Sequence, residues 1–416
     1  VSNSAAACPA DAPGATRPYN CSVDSRRGSF SEHDYTPKLA GLDDLGSSLI
    51  TLTVDLDQYR QNLRILRDYV APSKLICVVK ANAYGFGVAG LVPILSEFSD
   101  DISLGVATAD EALELKALGY AGRIILLGYT HPKNYYQIIQ SGCQLCAYRP
   151  ENIPKLAEAC AKLDHPLELH IKVDTGMTRL GVSIDDLPEF IREVKKYPQF
   201  SIVGLFSHLV DSGAAEAGIN LAQEMTFLRA IKRAVAELGY APECHLVNSG
   251  GMLNLRHLHY DCVRVGVLAY GIMPPGDFME RPPVKPCFKL ASEVIDRHRL
   301  PSGTGVSYCH TFYAEDETTV VTMPCGYADG LPRGLSNKAR VLIGGNSYRL
   351  VGNVTMDYVM ADVRDEDIQV GEEAVFIGRQ GDEEITIEEV AELAGTLPYA
   401  ISCGWGRRVR RVYTGQ

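Results

Sequence analysis

Lys80 stands directly after the apolar run Leu75-Ile76-Cys77-Val78-Val79 and opens the segment Lys80-Ala81-Asn82-Ala83-Tyr84-Gly85. An amine at the end of a buried strand is either a structural cation whose stem packs while its head reaches water, or a nucleophile that condenses with a carbonyl cofactor. Other apolar runs also end in groups that could serve such a cofactor. Asn248-Ser249-Gly250-Gly251 follows the run 244–247 and precedes a helix-like stretch, offering a hydroxyl and close-approaching backbone amides to an anion such as phosphate. The same pattern also marks an ordinary tight turn. Arg264-Val265-Gly266-Val267 brings a second glycine, and His208 closes Gly204-Leu205-Phe206-Ser207-His208, where it is either a hydrogen-bonded core histidine or a ring stacked on a cofactor.

Positioning these groups requires strands whose carboxyl ends meet. Apolar runs at 75–79, 102–106, 124–127, 144–147, 167–173, 201–206, 244–247 and 262–268 alternate with helix-like segments. Runs as continuous as Ile124-Ile125-Leu126-Leu127 suit strands buried on both faces, as in a parallel sheet covered by helices. One intervening helix is clearly punctuated: Thr108-x-x-Glu111 is a capping box, Ala109, Ala112, Leu113 and Ala117 share a stripe, and Gly119 ends it. Repeated β and α units predict an α/β fold with an N-terminal (β/α)8 barrel, with an open doubly wound sheet as the alternative. No glycine-rich dinucleotide fingerprint follows the first strand, which weakens that alternative. In such a barrel the reacting groups come from the strand carboxyl ends, and phosphate sites recur after the seventh and eighth strands. After about residue 286 the pattern turns to β-branched runs, with a hairpin signal at Gly344-Gly345-Asn346 and one short helix around Ile387 to Leu393. The organisation read from this is a loop-like, partly disordered leader over 1–48, a barrel over 49–286 and a mainly β domain over 287–416.

A formal net charge of −11 repels polyanions and argues against a nucleic-acid surface. No run of 18 apolar residues is present to span a membrane. Most of the 12 cysteines sit singly in apolar runs and read as buried free thiols. Cys143-x-x-Cys146 lacks the second pair that would complete a metal site, so no metal is expected. Cys8 and Cys21, in the polar leader, could pair in an oxidising compartment. A segment removed from ahead of Val1 stays open.

The segment Val78-Val79-Lys80-Ala81-Asn82-Ala83-Tyr84-Gly85 resembles the cofactor-lysine signature of alanine racemases, and further motifs follow in family order. These are Lys172-Val173-Asp174-Thr175-Gly176-Met177-Thr178-Arg179-Leu180-Gly181, His208, Asn248-Ser249, Arg264-x-Gly266, Tyr270-Gly271, Val306-Ser307-Tyr308, Gly326-Tyr327-Ala328-Asp329-Gly330 and Met356-Asp357. The resemblance covers about residues 49 to 416. It implies a (β/α)8 barrel joined to a C-terminal β domain, with the strand near 49–53 pairing with that domain. It also implies a cytoplasmic, pyridoxal 5'-phosphate-dependent enzyme that interconverts L- and D-alanine, supplies D-alanine for peptidoglycan and works as a head-to-tail homodimer with shared sites.

The resemblance further implies the roles of individual residues. Lys80 holds the cofactor and is the base on one face of the α-carbon; Tyr308 is the base on the other, aided by His208 and Arg264. Arg264 faces the pyridine nitrogen. Tyr84, Ser249, Gly266, Val267 and Tyr327 resemble the phosphate-binding set, with His208 and Asn248 beside the cofactor. Arg179 and the Met356 amide hold the substrate carboxylate, and Lys172 matches a position carbamylated in relatives, where it orients Arg179. Two departures stand out. Phe86 replaces a histidine common in the lysine motif, and Arg407 stands where relatives carry a tyrosine or a smaller residue at the inner entrance. Arg407 therefore leaves serine or a broader substrate range beside alanine. A related barrel decarboxylase and a non-catalytic cofactor-binding protein are the competing classes. Arg264 speaks against the first, because decarboxylation benefits from an acidic partner at the pyridine; the presence of both Lys80 and Tyr308 speaks against the second.

Overall fold

The computed structural model describes residues 49–214 and 218–415. The expectations placed on the leader, including a Cys8–Cys21 pair, lie outside the described residues. Eight parallel strands close into a barrel: β2 (Lys74–Val78), β3 (Ile102–Val106), β4 (Ile124–Leu126), β5 (Gln144–Ala147), β6 (Leu167–Lys172), β7 (Phe200–Phe206), β8 (Glu243–His245) and β9 (Cys262–Val265). Closure comes from β2 pairing with β9, Lys74 opposite Cys262 and Cys77 opposite Val265, which excludes the open sheet. The strand bodies are buried because helices cover the outside and side chains fill the inside, where Ile76, Ile125 and Cys262 pack together.

The expected strands at 244–247 and 262–268 are cut short, ending at His245 and Val265. Residues Val267–Tyr270 instead form a tight 3-10 turn that is itself buried, so hydrophobicity continues where the strand does not. Thr108 caps the helix Ala109–Ala117 with both halves of the capping box formed.

Strand β1 (Thr51–Asp55) does not join the barrel. It lies antiparallel to β10 (Phe288–Glu293) and parallel to the strand Arg410–Thr414, within a sheet of the C-terminal half. The hairpin Arg340–Ile343/Asn346–Val351 turns on Gly344 and Gly345, both at positive φ (60° and 81°), as a two-residue primed turn requires. The helix Ile387–Ala394 starts at a Thr386 cap.

The seam between barrel and β domain runs through the segment after Lys80. Phe86 is fully buried, stacked on Tyr270 at 4.2 Å and set edge-on to Trp405 at 5.3 Å. It fills the core beneath the lysine segment. Arg411 Nε donates to the Gly85 carbonyl and Tyr413 Oη to the Phe86 carbonyl, tying the last strand to the lysine segment. All ten described cysteines are unpaired and eight are buried, so packing, not cross-linking, holds this fold. Among the described residues no helix is long and apolar enough to cross a membrane.

Candidate active site

A cavity of about 660 Å³ opens at the carboxyl ends of the barrel strands, lined among others by Lys80, Tyr84, Arg179, His208, Ser249 and Arg264. Lys80 begins a turn in which Ala81, Asn82, Ala83 and Tyr84 are all left-handed, with φ of 53° to 56°. Each such L-residue costs roughly 1–2 kcal/mol, so the turn must be held from outside. Glu111 does much of that: its carboxylate accepts from the Ala81 amide at 2.7 Å and from the Ala107 amide at 2.8 Å while completing the helix cap. Asn82 Oδ1 accepts from the Val88 amide at 2.7 Å. Partial burial pulls the Lys80 ammonium below the usual lysine range, and the Arg179 charge adds to this.

On β9, the strand paired with β2, Arg264 is buried. Its NH1 donates to His245 Nδ1 at 2.7 Å and to the His245 carbonyl at 3.0 Å; its NH2 donates to the Ser207 and Leu246 carbonyls, both at 2.7 Å, and to His208 Nδ1 at 3.0 Å. All five bonds use the terminal nitrogens, which leaves Nε for a cavity ligand. Burial brings the guanidinium down to about 9, still charged at neutral pH. An arginine can only donate, so His208 Nδ1 must be the acceptor and its proton sits on Nε2. Burial first, then the Arg264 charge, holds this imidazole well below the ordinary histidine range, hence neutral.

The candidate phosphate end is a cradle. Ser249 Oγ accepts from the Gly266 amide at 3.1 Å, and a Cβ on Gly266 would lie 2.3 Å from Tyr84 Oη, so only glycine leaves the space open. Hydroxyls and backbone amides converging here fit a phosphate. Asn248 and Val267 line the same cavity, but Asn248 Oδ1 is taken by the Gly251 amide as a helix cap. On β6, Lys172 lies with Nζ 4.3 Å from the centre of the Phe206 ring, and burial lowers its ammonium to about 8.

Tyr308, Tyr327 and Met356 lie elsewhere, in a second concavity of about 960 Å³ on the β domain that shares no lining residue with the first. Tyr308 is 72% exposed. Three neighbours, Ser307, Cys309 and His310, have φ of 65°, 61° and 42°, and Asn353 Nδ2 donates to the Tyr308 carbonyl at 2.6 Å. A strained, tethered loop thus holds the phenol out into solvent.

Residues 54–274 match the family model described as alanine racemase, N-terminal domain, and residues 287–413 match alanine racemase, C-terminal domain. The chain belongs to the alanine racemase family. It is 35% identical over 365 residues to the alanine racemase of a Nostoc species, spanning 86% of this chain and 94% of that one. Its fold superposes on the alanine racemase of the D-cycloserine producer Streptomyces lavendulae with a TM-score of 0.84 at 30% identity, covering 89% and 98% of the two chains. The alanine racemase of Bartonella henselae, a structure with covalently bound pyridoxal phosphate, gives 0.78 at 31% identity over 88% and 99%.

Against the alanine racemase motifs, two assignments made from sequence fall differently in space. Tyr327 does not join the phosphate cradle of its own chain, because its motif is on the β domain beside Tyr308 and Met356. The tyrosine that does line the barrel cavity with Tyr84 is Tyr399, in the helix Pro398–Cys403. No strand end precedes Tyr399, so the rule that finds Lys80 is blind to it. Arg407 occupies an exposed turn and lines neither concavity, while its neighbour Arg408 pairs with Asp329 at 2.8 Å and Asp357 at 2.7 Å.

Proposed function

We propose that the protein interconverts L- and D-alanine with pyridoxal phosphate held on Lys80, using Lys80 as the base on one face of the α-carbon and the partner subunit's Tyr308 on the other. The observation that carries this reading is the division of one reacting set between two concavities. The barrel cavity holds the amine, the anion cradle and Arg264, whereas the phenol stands largely exposed in the second concavity. A head-to-tail homodimer would bring each concavity against the other's complement.

Pyridoxal phosphate, when bound, supplies the electron sink that makes the α-proton removable. The depressed Lys80 ammonium favours a neutral amine able to take a proton at Nζ. A phenol, with a reference pKa near 10, needs help to act as a base. His208 gives it by donating from Nε2 to the phenolic oxygen, with Arg264 behind Nδ1 fixing that tautomer. Arg264 also opposes protonation of a pyridine nitrogen set against it, which restrains the sink and keeps the chemistry at the α-carbon. A decarboxylase would want an acid there. Arg179 and the Met356 amide are the groups for the substrate carboxylate. Lys172, at about 8, has enough free amine near neutral pH to take up carbon dioxide, which would turn a cation into an anion able to orient Arg179. The product would serve peptidoglycan from the cytoplasm, a reading that rests on the family.

Borohydride reduction of the holoenzyme followed by peptide mapping is expected to leave the cofactor on Lys80. A label on any other lysine overturns the assignment. The position of Arg407 bears on the substrate: it lines neither the barrel cavity nor the concavity of the β domain, so nothing sets its guanidinium against a serine hydroxyl. Arg407→Tyr is therefore expected to leave the serine-to-alanine ratio of kcat/KM within about twofold, well short of the 1.4 kcal/mol that a tenfold change requires. A tenfold shift in that ratio would restore Arg407 to the gate.

A further inference from the structure

Behind Arg264, a row of polar side chains runs down the barrel interior, away from the cavity. His245 Nε2 lies 3.1 Å from His170 Nδ1, His170 Nε2 lies 2.9 Å from Gln144 Oε1, and Gln144 Nε2 lies 2.6 Å from Glu168 Oε2. Both imidazoles are fully buried and Gln144 is nearly so, while Glu168 is exposed. Glu168, His170 and Lys172 alternate along β6 and so share one face, which takes the row from cavity to opposite mouth. The row is a built feature. A Cβ on Gly204 would lie 1.9 Å from His170 Nδ1, so glycine there makes room for the ring, and Phe206 stacks on His245 at 4.7 Å and 10°.

The two ends fix the direction of every bond between them. Arg264 can only donate and a carboxylate only accepts, so His245 accepts at Nδ1 and donates from Nε2, His170 does the same, and the Gln144 amide passes the donation to Glu168. We infer that Gln144 and Glu168, at the far mouth of the barrel, are positioning residues for Arg264, holding His170 and His245 in the neutral Nε2–H form that keeps the guanidinium anchored. The inference rests on the proposed role of Arg264 for its effect on the reaction; the chain of bonds stands without it. A proton added to either ring would set N–H against N–H. His245 could escape only by moving its proton to Nδ1, directly opposite an arginine N–H.

The surroundings oppose that proton. Burial lowers His170 to about 4, with Arg123 and Arg264 acting in the same direction and Glu243 against them. Glu243 is itself paired with Arg123. His245 is held well below the histidine range by burial, then by Arg264, His170, Lys172 and Arg123. Glu168, on the same strand as His170, is kept one residue away by Gln144, whose amide carries no charge.

Neutron diffraction from deuterated holoenzyme crystals should show deuterium on Nε2 and none on Nδ1 of both histidines; deuterium on either Nδ1 overturns the inference. Gln144→Glu puts a carboxylate against His170 Nε2 and favours the charged ring, so the acid limb of kcat should move up by at least one pH unit. Gln144→Met removes the same bonds without charge and should leave that limb in place, with a lower Tm. A merely structural role would lower Tm in both variants and move neither limb. Coincident acid limbs for Gln144→Glu and wild type would refute the inference, and should that variant fail to fold, the neutron result on the wild type decides. Loss of label from Lys80 in the borohydride experiment would instead strike the proposed function and leave the deuterium positions untouched.

Discussion

Mixing Lys80→Ala subunits with Tyr308→Phe subunits should restore up to about a quarter of wild-type activity from two nearly dead proteins, since random pairing makes half the dimers hybrid and each hybrid has one intact site. Each homodimer alone should lose at least about 10³-fold in kcat, because a positioned base contributes on the order of 10²–10⁴ and Lys80 also carries the cofactor. The proposed shared site predicts this complementation. Lys80 lies in the barrel cavity and Tyr308 in a concavity that shares none of its lining, with the Tyr308 carbonyl held by Asn353. Activity of co-expressed, differently tagged dimers of verified composition is the measurement. Hybrids as inactive as their parents would mean that the two residues do not meet across subunits.

Arg264→Gln should cost about 10²-fold or more in kcat and move the acid limb of the pH profile upward. The sign follows from what holds His208 down: burial first, then the Arg264 charge. With that cation gone, burial still holds the imidazole below the ordinary histidine range, but less far below it, so the neutral form that serves the phenol is lost at a higher pH than in the wild type. Stability should fall by roughly 1–3 kcal/mol in denaturant, since three buried carbonyls lose a charged donor while the cost of burying the cation is relieved. Glutamate is the wrong probe here, because it would set acceptors against those same carbonyls. A folded Arg264→Gln enzyme with the wild-type pH profile would remove the guanidinium from the relay.

The barrel was legible because strands buried on both faces leave unbroken apolar runs, and all eight expected runs became strands of one closed sheet. Their ends were less so, since Val267–Tyr270 is as buried in a tight turn as it would be in a strand. Lys80 could be found by position alone. Tyr308, Arg179 and Met356 could not: no local pattern marks a residue whose counterpart lies across a cavity, and only the family motifs pointed to them. Tyr327 and Tyr399 are chemically alike and both belong to the C-terminal half, and only the fold shows that Tyr399 lines the barrel cavity of its own chain while Tyr327 lines the second concavity. Glu111 was readable as a helix cap, whereas its second hold, on the Ala81 amide, joins residues 30 positions apart that no periodicity connects.

The placement of β1 has a consequence for how the chain is made. Its neighbours on both sides, β10 and Arg410–Thr414, come from far downstream, and the bond from Thr414 Oγ1 to the Val54 carbonyl spans 360 residues. At ribosomal rates of roughly 5–20 residues per second, β1 waits on the order of tens of seconds for its last partner, while β2 to β9 can close in the meantime. Until then β1, alternating Leu52 and Val54 with polar residues, has an open edge, as in strands that pair with other chains. The same last strand also carries Arg411 and Tyr413, which clamp the carbonyls after Lys80. Arrival of Arg410–Thr414 therefore covers an edge of β1 and fixes the lysine turn in one step, and a chain lacking that strand would be left with both an open edge and an unsettled active site.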